Sequence, residues 1–176
     1  TGDLITVINP AVRAEIIDSE HGLVIDLAYE ARQFWDETDE NEQNFLAGIE
    51  GHIQGETLRV PYQVRYSVDH EDRRDDLNRD LPENPIETGE ILAETGVQLD
   101  KGPFGFLVMG RFLQEKFDDG TTPAGALVVR HDADRESWIG EGQVSYAMAP
   151  SYKFILGALY GTREYELQNY QGGGFN

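Results

Sequence analysis

The feature that most constrains this chain is a period-two alternation of apolar and polar residues. In residues 23–35, Ile25 and Leu27 fall on one face, and Asp26 and Glu30 fall on the other. Successive side chains of a strand point to opposite faces, so this pattern indicates strands rather than helices. The same alternation recurs near residues 5–17, 45–54, 58–69, 91–99, 104–113, 138–148 and 152–163. The sequence therefore predicts an all-β, antiparallel up-and-down fold of about eight strands.

The predicted strands and their connections have the proportions of a membrane barrel. Each strand spans about ten residues, against a mode of about 5–6 in soluble sheets and about 9–11 in membrane barrels. The short connections are residues 18–22, 55–57, 100–103 and 149–151, and the long ones are 36–44, 69–88 and 115–136. Alternate connections of an antiparallel meander lie at opposite ends of the sheet. We therefore expect short turns at one end and long polar loops at the other, as in outer-membrane barrels.

Periodicity does not decide which face is inside, because a lipocalin-like barrel is apolar inside and a membrane barrel is the reverse. Strand length favours the membrane barrel, and so do aromatic residues towards the predicted strand ends. These aromatic residues are Phe34, Trp35, Phe45, Tyr66, Phe104, Phe117, Trp138, Tyr152 and Tyr160. The polar face also carries charges of both signs, which suits a watery lumen. The residues predicted to line that lumen are Asp26, Glu30, Arg32, Glu50, Arg59, Arg65, Glu94, Arg111 and Gln143.

Composition removes several classes of function. Lys and Arg number 14 and Asp and Glu number 33, for a formal net charge of −19. This charge argues against binding nucleic acid or anionic lipid through electrostatics. The absence of Cys excludes disulfides, thiolate zinc sites and Cys nucleophiles. The mean hydropathy of −0.49 is an average over acidic loops and a thin apolar band, so it does not argue against a membrane barrel. No apolar run approaches the ~18 residues of a membrane helix.

No catalytic motif and no cofactor site is recognisable. HExxH, Gly-x-Ser-x-Gly, P-loop and GxGxxG patterns are all missing. Two Asp-His pairs, 69–70 and 131–132, fall in long loops that share one rim, where outer-membrane proteases also use Asp and His. Solvated loop charges are far commoner, so we expect no enzyme, no metal and no cofactor. Acidic segments 36–40 and 75–80 could attract Ca²⁺, but they lack the spacing of a calcium loop.

The second half of the chain carries a family resemblance. A turn of sequence YAMAPSY (146–152) precedes a strand that closes with Arg163-Glu-Tyr165, after a long strand that ends in an acidic Asp-Asp-Gly. This arrangement resembles the outer-membrane β-barrel porins associated with exopolysaccharide export in Gram-negative bacteria. The likeness covers about residues 87–167, with a weaker echo in 23–72. No catalytic residue follows from it. Barrels of that family have more strands than are counted here.

The resemblance implies a passive porin or export channel in the bacterial outer membrane, for a hydrophilic solute such as polysaccharide. The expected partners are outer-membrane lipid and polysaccharide or periplasmic export machinery, and not nucleic acid. We expect one β-barrel domain over residues 1–176, roughly half of a larger barrel, because barrels of that family are larger than the strand count here; the loop-like chain ends agree with this. Two alternatives stay open. Eight strands closing alone would have a filled interior and a structural or adhesive role, and a soluble lipocalin-like barrel would bind a small apolar ligand.

Overall fold

The fold is all-β in the computed structural model, which describes residues 4–36, 41–70, 86–122, 125–130, 133–149 and 151–165. Eleven strands and no α-helix occur in these ranges. The strands are β1 Ile5–Ile8, β2 Ala11–Ile17, β3 His21–Phe34, β4 Glu42–Gln54, β5 Leu58–His70, β6 Glu87–Lys101, β7 Phe104–Phe117, β8 Gly120–Thr121, β9 Leu127–Val128, β10 Arg135–Ala149 and β11 Tyr152–Tyr165. No helix in these ranges has the length and apolar character needed to cross a membrane.

The strands form one antiparallel meander, as the sequence predicts. The order in the main sheet is β1–β3–β4–β5–β6–β7–β10–β11, and β2 also pairs with β3. β8 and β9 form a separate small hairpin in the connection between β7 and β10. The seven long strands have 13 to 15 residues each, which is well beyond the soluble mode of about 5–6.

The count of about eight strands needs a correction, because the structure has eleven. β1 and β2 are two pieces of one edge strand in a single register against β3, since Ile8 pairs with Ala31 and Ala11 with Ala28. The interruption falls at Pro10, which has no N–H to donate. Its carbonyl still accepts a hydrogen bond from Tyr29 N at 3.0 Å. The β8–β9 hairpin is the addition that the alternation did not predict.

Pro61 lies inside β5, where proline argues against a strand. The register with β6 nevertheless continues past it, from Arg59 opposite Gln98 to Tyr62 opposite Thr95. The Thr95 hydroxyl donates to the Pro61 carbonyl at 3.1 Å. The strand therefore tolerates Pro61, and the same side chains stay on each face.

The short turns lie together at one end of the sheet, as predicted. Backbone hydrogen bonds join neighbouring turns at this end: Gln54 N donates to Glu20 O at 2.6 Å, and Asp100 N donates to Thr57 O at 2.9 Å. The connections at the other end are the long ones, and residues 37–40, 71–85, 123–124 and 131–132 of them are outside the described ranges. We call these two ends the turn end and the loop end.

The sheet has two different faces and no apolar core between layers. Among the described residues, the only large hydrophobic side chain that is buried is Ile86, at 2% exposure. In β10, Ser137 and Ser145 are 4% and 8% exposed, whereas Trp138 and Val144, on the opposite face, are 58% and 45% exposed. In a single sheet, side chains crowd one another on the concave side and spread on the convex side. The sheet therefore curves towards the face of Ser137 and Ser145.

The described strands do not close into a barrel. β1 and β2 have only β3 as a neighbour, and β11 has only β10. The expectation of an antiparallel all-β sheet is confirmed, whereas closure of these strands on themselves is not observed. An open sheet leaves the backbone polar groups of its two edges unpaired.

Candidate functional site

All nine residues predicted to line a lumen lie on the concave side of the sheet, which we call the charged face. Cross-strand pairing shows this directly, because residues opposite one another in a ladder share a face. One row runs Glu50–Gln63–Glu94–Arg111 across β4 to β7. The nine residues are Asp26, Glu30, Arg32, Glu50, Arg59, Arg65, Glu94, Arg111 and Gln143. That this face lines a lumen stays a prediction.

Several of these residues form ion pairs on the charged face. Arg32 lies 2.8 Å from Glu30, and Arg111 lies 2.6 Å from Glu94. Arg59 and Arg65 form no ion pair within the part of the chain that the structure describes. The face thus holds both neutralised and free arginines.

Arg13 of β2 is the most heavily paired arginine on the charged face. Its guanidinium lies 2.7 Å from Glu15, 3.1 Å from Asp26 and 3.9 Å from Glu50. Arg13 is not among the nine residues predicted to line a lumen. Placing it requires the β2–β3 register, which sets Arg13 directly opposite Asp26.

A second cluster lies at the loop end of the charged face, on β7, β10 and β11. Arg135 forms a bidentate pair with Glu115, its ladder neighbour. Arg163 donates from Nε to the buried Ser137 hydroxyl at 3.2 Å. These residues were not among the predicted site residues, although the period-two pattern of β10 and β11 places them on the polar side. They cross-link the last three long strands.

The opposite, convex side is an apolar face. Charged side chains and histidines of the described strands reach it only at strand ends: His21, His70, Glu87, Lys101, Lys116, Glu136 and Glu164. Between those ends its large side chains are exposed, including Val64 at 53%, Val108 at 63% and Leu156 at 73%. A soluble protein rarely exposes so large a contiguous apolar surface.

The height of the uncharged band can be taken from β11. From Tyr152 to Thr162 the apolar face of this strand carries no charge. Ten residue steps of about 3.3 Å give about 33 Å along the strand, or about 25 Å along the membrane normal at a tilt of about 40°. This is the height of the apolar band on outer-membrane barrels.

Aromatic side chains occupy both borders of the apolar face. At the turn end, the rings of Phe104 and Tyr146 lie 5.0 Å apart; at the loop end, those of Phe45 and Tyr66 lie 6.3 Å apart. Paired aromatics at two heights are typical of interfacial girdles. The placement of Tyr160 at a strand end was wrong, because it lies in the middle of β11, opposite Gly140.

The catalytic and metal candidates gain no support from the described residues. His70 Nδ1 lies 2.9 Å from the Asn44 side-chain oxygen, a contact between two neighbouring strands. Residues 37–40, 75–80 and 131–132, which carry the remaining acidic and His-Asp candidates, lie outside the described ranges. Within those ranges no group of three or more His, Asp or Glu side chains is placed to hold a metal ion.

Comparison with known proteins finds one family. The model of the family described as "Putative beta-barrel porin 2" matches residues 1–173. The match extends well beyond the segment 87–167 on which the sequence resemblance was based, and it includes the whole charged face. No match is found among curated proteins or among solved structures.

Proposed function

This chain belongs to that β-barrel porin family. We propose that it forms part of the wall of a bacterial outer-membrane barrel and that this barrel conducts a hydrophilic solute passively. The observation that carries the proposal is the inverted polarity of the sheet. Its convex face is an uncharged, exposed apolar band, and its concave face carries the charges. A soluble barrel has the opposite arrangement, with apolar side chains inside.

The lipid-facing side of the proposed barrel is the apolar face. In water, each fully exposed large apolar side chain forgoes about 1.5–3 kcal/mol of burial free energy. Acyl chains remove this penalty for Val108, Leu156 and their neighbours. The aromatic pairs at the two borders anchor the wall at the interfaces. Outer-membrane lipid is therefore the first proposed partner.

The lumen side of the proposed barrel is the charged face. Its arginines and carboxylates lie within a few ångströms of one another, as in the Glu94–Arg111 pair, so most charges are locally compensated. A water-filled channel with such a wall selects by charge and hydration rather than by tight binding. The proposal assigns no catalytic role to the chain.

The two free edges of the sheet indicate how the barrel would be completed. Unpaired backbone groups are too costly in the hydrocarbon region, so only closed barrels cross it as sheets. We propose that further strands pair with β1–β2 and with β11, which gives a barrel wider than eight strands and room for a lumen. Polysaccharide as the solute, and periplasmic export machinery as a second partner, are supported only by the sequence resemblance.

Two measurements test this proposal. The protein folded in detergent should migrate differently on a gel before and after heating, and planar bilayers should show stable current steps after its insertion. A chain that is monomeric and soluble in plain buffer would contradict the membrane barrel. A heat-modifiable protein that carries no current would refute the channel and favour a structural or adhesive barrel.

A further inference from the structure

Three adjoining pockets with shared lining residues form a recess along the charged face over β2 to β5, from the loop end to the turn end. Its central part has a volume of about 540 Å³ and lies over Ala28 and Gly48. Towards the loop end it continues between Asn9, Glu30 and Ser67, and towards the turn end it continues past Gln63 and His52. The small side chains on the floor of the recess leave this volume unfilled.

Three arginines line the recess, and they differ in what surrounds them. Arg13 contacts three carboxylates, and Arg32 contacts Glu30 and Glu42. Arg65 is half-buried and has neither a carboxylate nor a hydrogen-bond partner among the described residues. Its ladder neighbours are Gly48 and Leu92, which offer no side-chain acceptor. A half-buried cation without a partner favours an anion from solution.

Two further hydrogen-bonding side chains flank Arg65 on the same face of β5. Gln63 and Ser67 also line the recess, and within the described ranges neither has a hydrogen-bond partner. Residues two apart on a strand are about 6.6–7 Å apart. Gln63, Arg65 and Ser67 therefore form a line of three free donor groups about 13 Å long, with the positive charge at its centre.

We propose that this line binds a sugar acid, with its carboxylate on Arg65 and the hydroxyl or ring oxygens of its ring on Gln63 or on Ser67, one flank for each sugar ring. The planar guanidinium can hold a carboxylate through two parallel hydrogen bonds. Gln63 lies between Glu50 and Glu94 in the ladder, and Ser67 lies opposite Glu90, so the two flanks suit sugar hydroxyls and repel a second anion. This inference rests on the proposed channel and names the class of solute that its wall would retain.

The test is the block of single-channel current by D-glucuronate, acetate and D-glucose added to the full chain in planar bilayers. Glucuronate should block at the lowest concentration, because it alone offers both the carboxylate and the hydroxyls. Arg65→Gln should weaken the glucuronate block about tenfold or more and should leave the weak glucose block unchanged. Arg65→Lys should retain only part of the wild-type glucuronate block, since an ammonium group cannot form two parallel hydrogen bonds with a carboxylate as a guanidinium can.

Arg59→Gln is the matched control, because Arg59 is also an unpaired arginine on the charged face of β5 but is not part of the recess. This variant should keep the wild-type glucuronate block within about twofold. Equal block by glucuronate and glucose, or equal weakening by Arg59→Gln and Arg65→Gln, would overturn the site while leaving the channel intact. A wild-type protein without any current would instead overturn the proposed function itself.

Discussion

The charged face and the apolar face belong to the same strands, and every second residue separates them. On the charged face, side chains crowd together and pair, as Arg13 does with Glu15, Asp26 and Glu50. On the apolar face, side chains spread outward, and Val108 and Tyr160 are 63% and 74% exposed. The sheet thus gathers and pairs its charges on the concave face, where their side chains stay about half exposed, and exposes large apolar groups on the convex face. Such a sheet suits a barrel wall that contacts lipid on its convex side and water on its concave side.

The strongest test of the difference between the two faces is to place a charge on each face at the same height in the sheet. Val144 and Gln143 are neighbours near the middle of β10 and point to opposite faces. Val144→Arg should lower the free energy of unfolding from lipid bilayers by about 2–4 kcal/mol, the cost of an arginine near the bilayer midplane. Denaturant titration of the bilayer-folded protein measures this loss.

Gln143→Arg is the matched variant for the charged face. This substitution should change the free energy of unfolding by no more than about 0.5 kcal/mol, because the new charge remains in a polar environment. Equal losses from the two substitutions would show that both faces meet the same medium, and the assignment of the apolar face to lipid would then be untenable.

A smaller loss of stability is expected from adding a methyl group where neighbouring strands approach closely. A Cβ added at Gly51 would clash with the Gly22 carbonyl oxygen and would lie 2.6 Å from the Tyr62 hydroxyl. Tyr62 is the ladder neighbour of Gly51, and its hydroxyl reaches Gly22 O at 3.4 Å. Gly51→Ala should therefore destabilise the fold by about 1–3 kcal/mol, measured by the same titration.

Gly142→Ala supplies the comparison for Gly51, because a Cβ there meets nothing within 4 Å. Alanine at this open strand position should be neutral or slightly stabilising, within about 0.5 kcal/mol. If Gly51→Ala is equally benign, then the close approach of β3, β4 and Tyr62 does not exist in the membrane-embedded protein.

The smallest effect concerns the turn end, which lies beyond the uncharged band and in water. The Asp18 carboxylate accepts hydrogen bonds from the backbone N–H groups of Glu20 and His21, each at 2.7 Å. These bonds, with that of Glu20 first, hold the pKa of Asp18 below its ordinary value. The stabilisation is therefore present above the unfolded pKa of about 3.9 and is lost as the pH falls through the folded pKa.

Asp18→Ala tests this contribution. Its deficit in unfolding free energy relative to wild type should be small at pH 7 and should shrink as the pH falls below about 4. Paired titrations at neutral and acidic pH measure it. A deficit that keeps the same size from pH 7 to pH 2 would mean that the ionised carboxylate does not stabilise the turn.

Much of the fold follows from the sequence, because an alternation maintained over ten residues fixes both the strand and the face of each residue. That is why Asp26, Arg65 and Glu94 were assigned to one face before any register was known. The break at Pro10 fits the donor that proline lacks, but Pro61 lies inside β5 without interrupting it, so proline alone does not predict where a strand breaks. The sequence does not predict β8 and β9, because two residues each are too few to show a period.

What could not be predicted depends on registers and curvature. The pairing of Arg13 with Asp26 and Glu50 requires three strands to be aligned, and alternation along one strand holds no such information. The same holds for Arg65, whose lack of a partner is a consequence of having Gly48 and Leu92 beside it. Which face is concave is also a property of the whole sheet, and residue burial revealed it.

Cysteine accessibility along β10 tests the central claim most directly, because the chain contains no cysteine of its own. Single cysteines at positions 139 to 144 alternate between the two faces, and a Cβ at Gly140 or Gly142 meets nothing within 4 Å. In protein inserted into lipid vesicles, a water-soluble thiol reagent should label positions 139, 141 and 143 and spare 140, 142 and 144. Labelling of the even positions, or labelling without alternation, would contradict a lipid-facing apolar face.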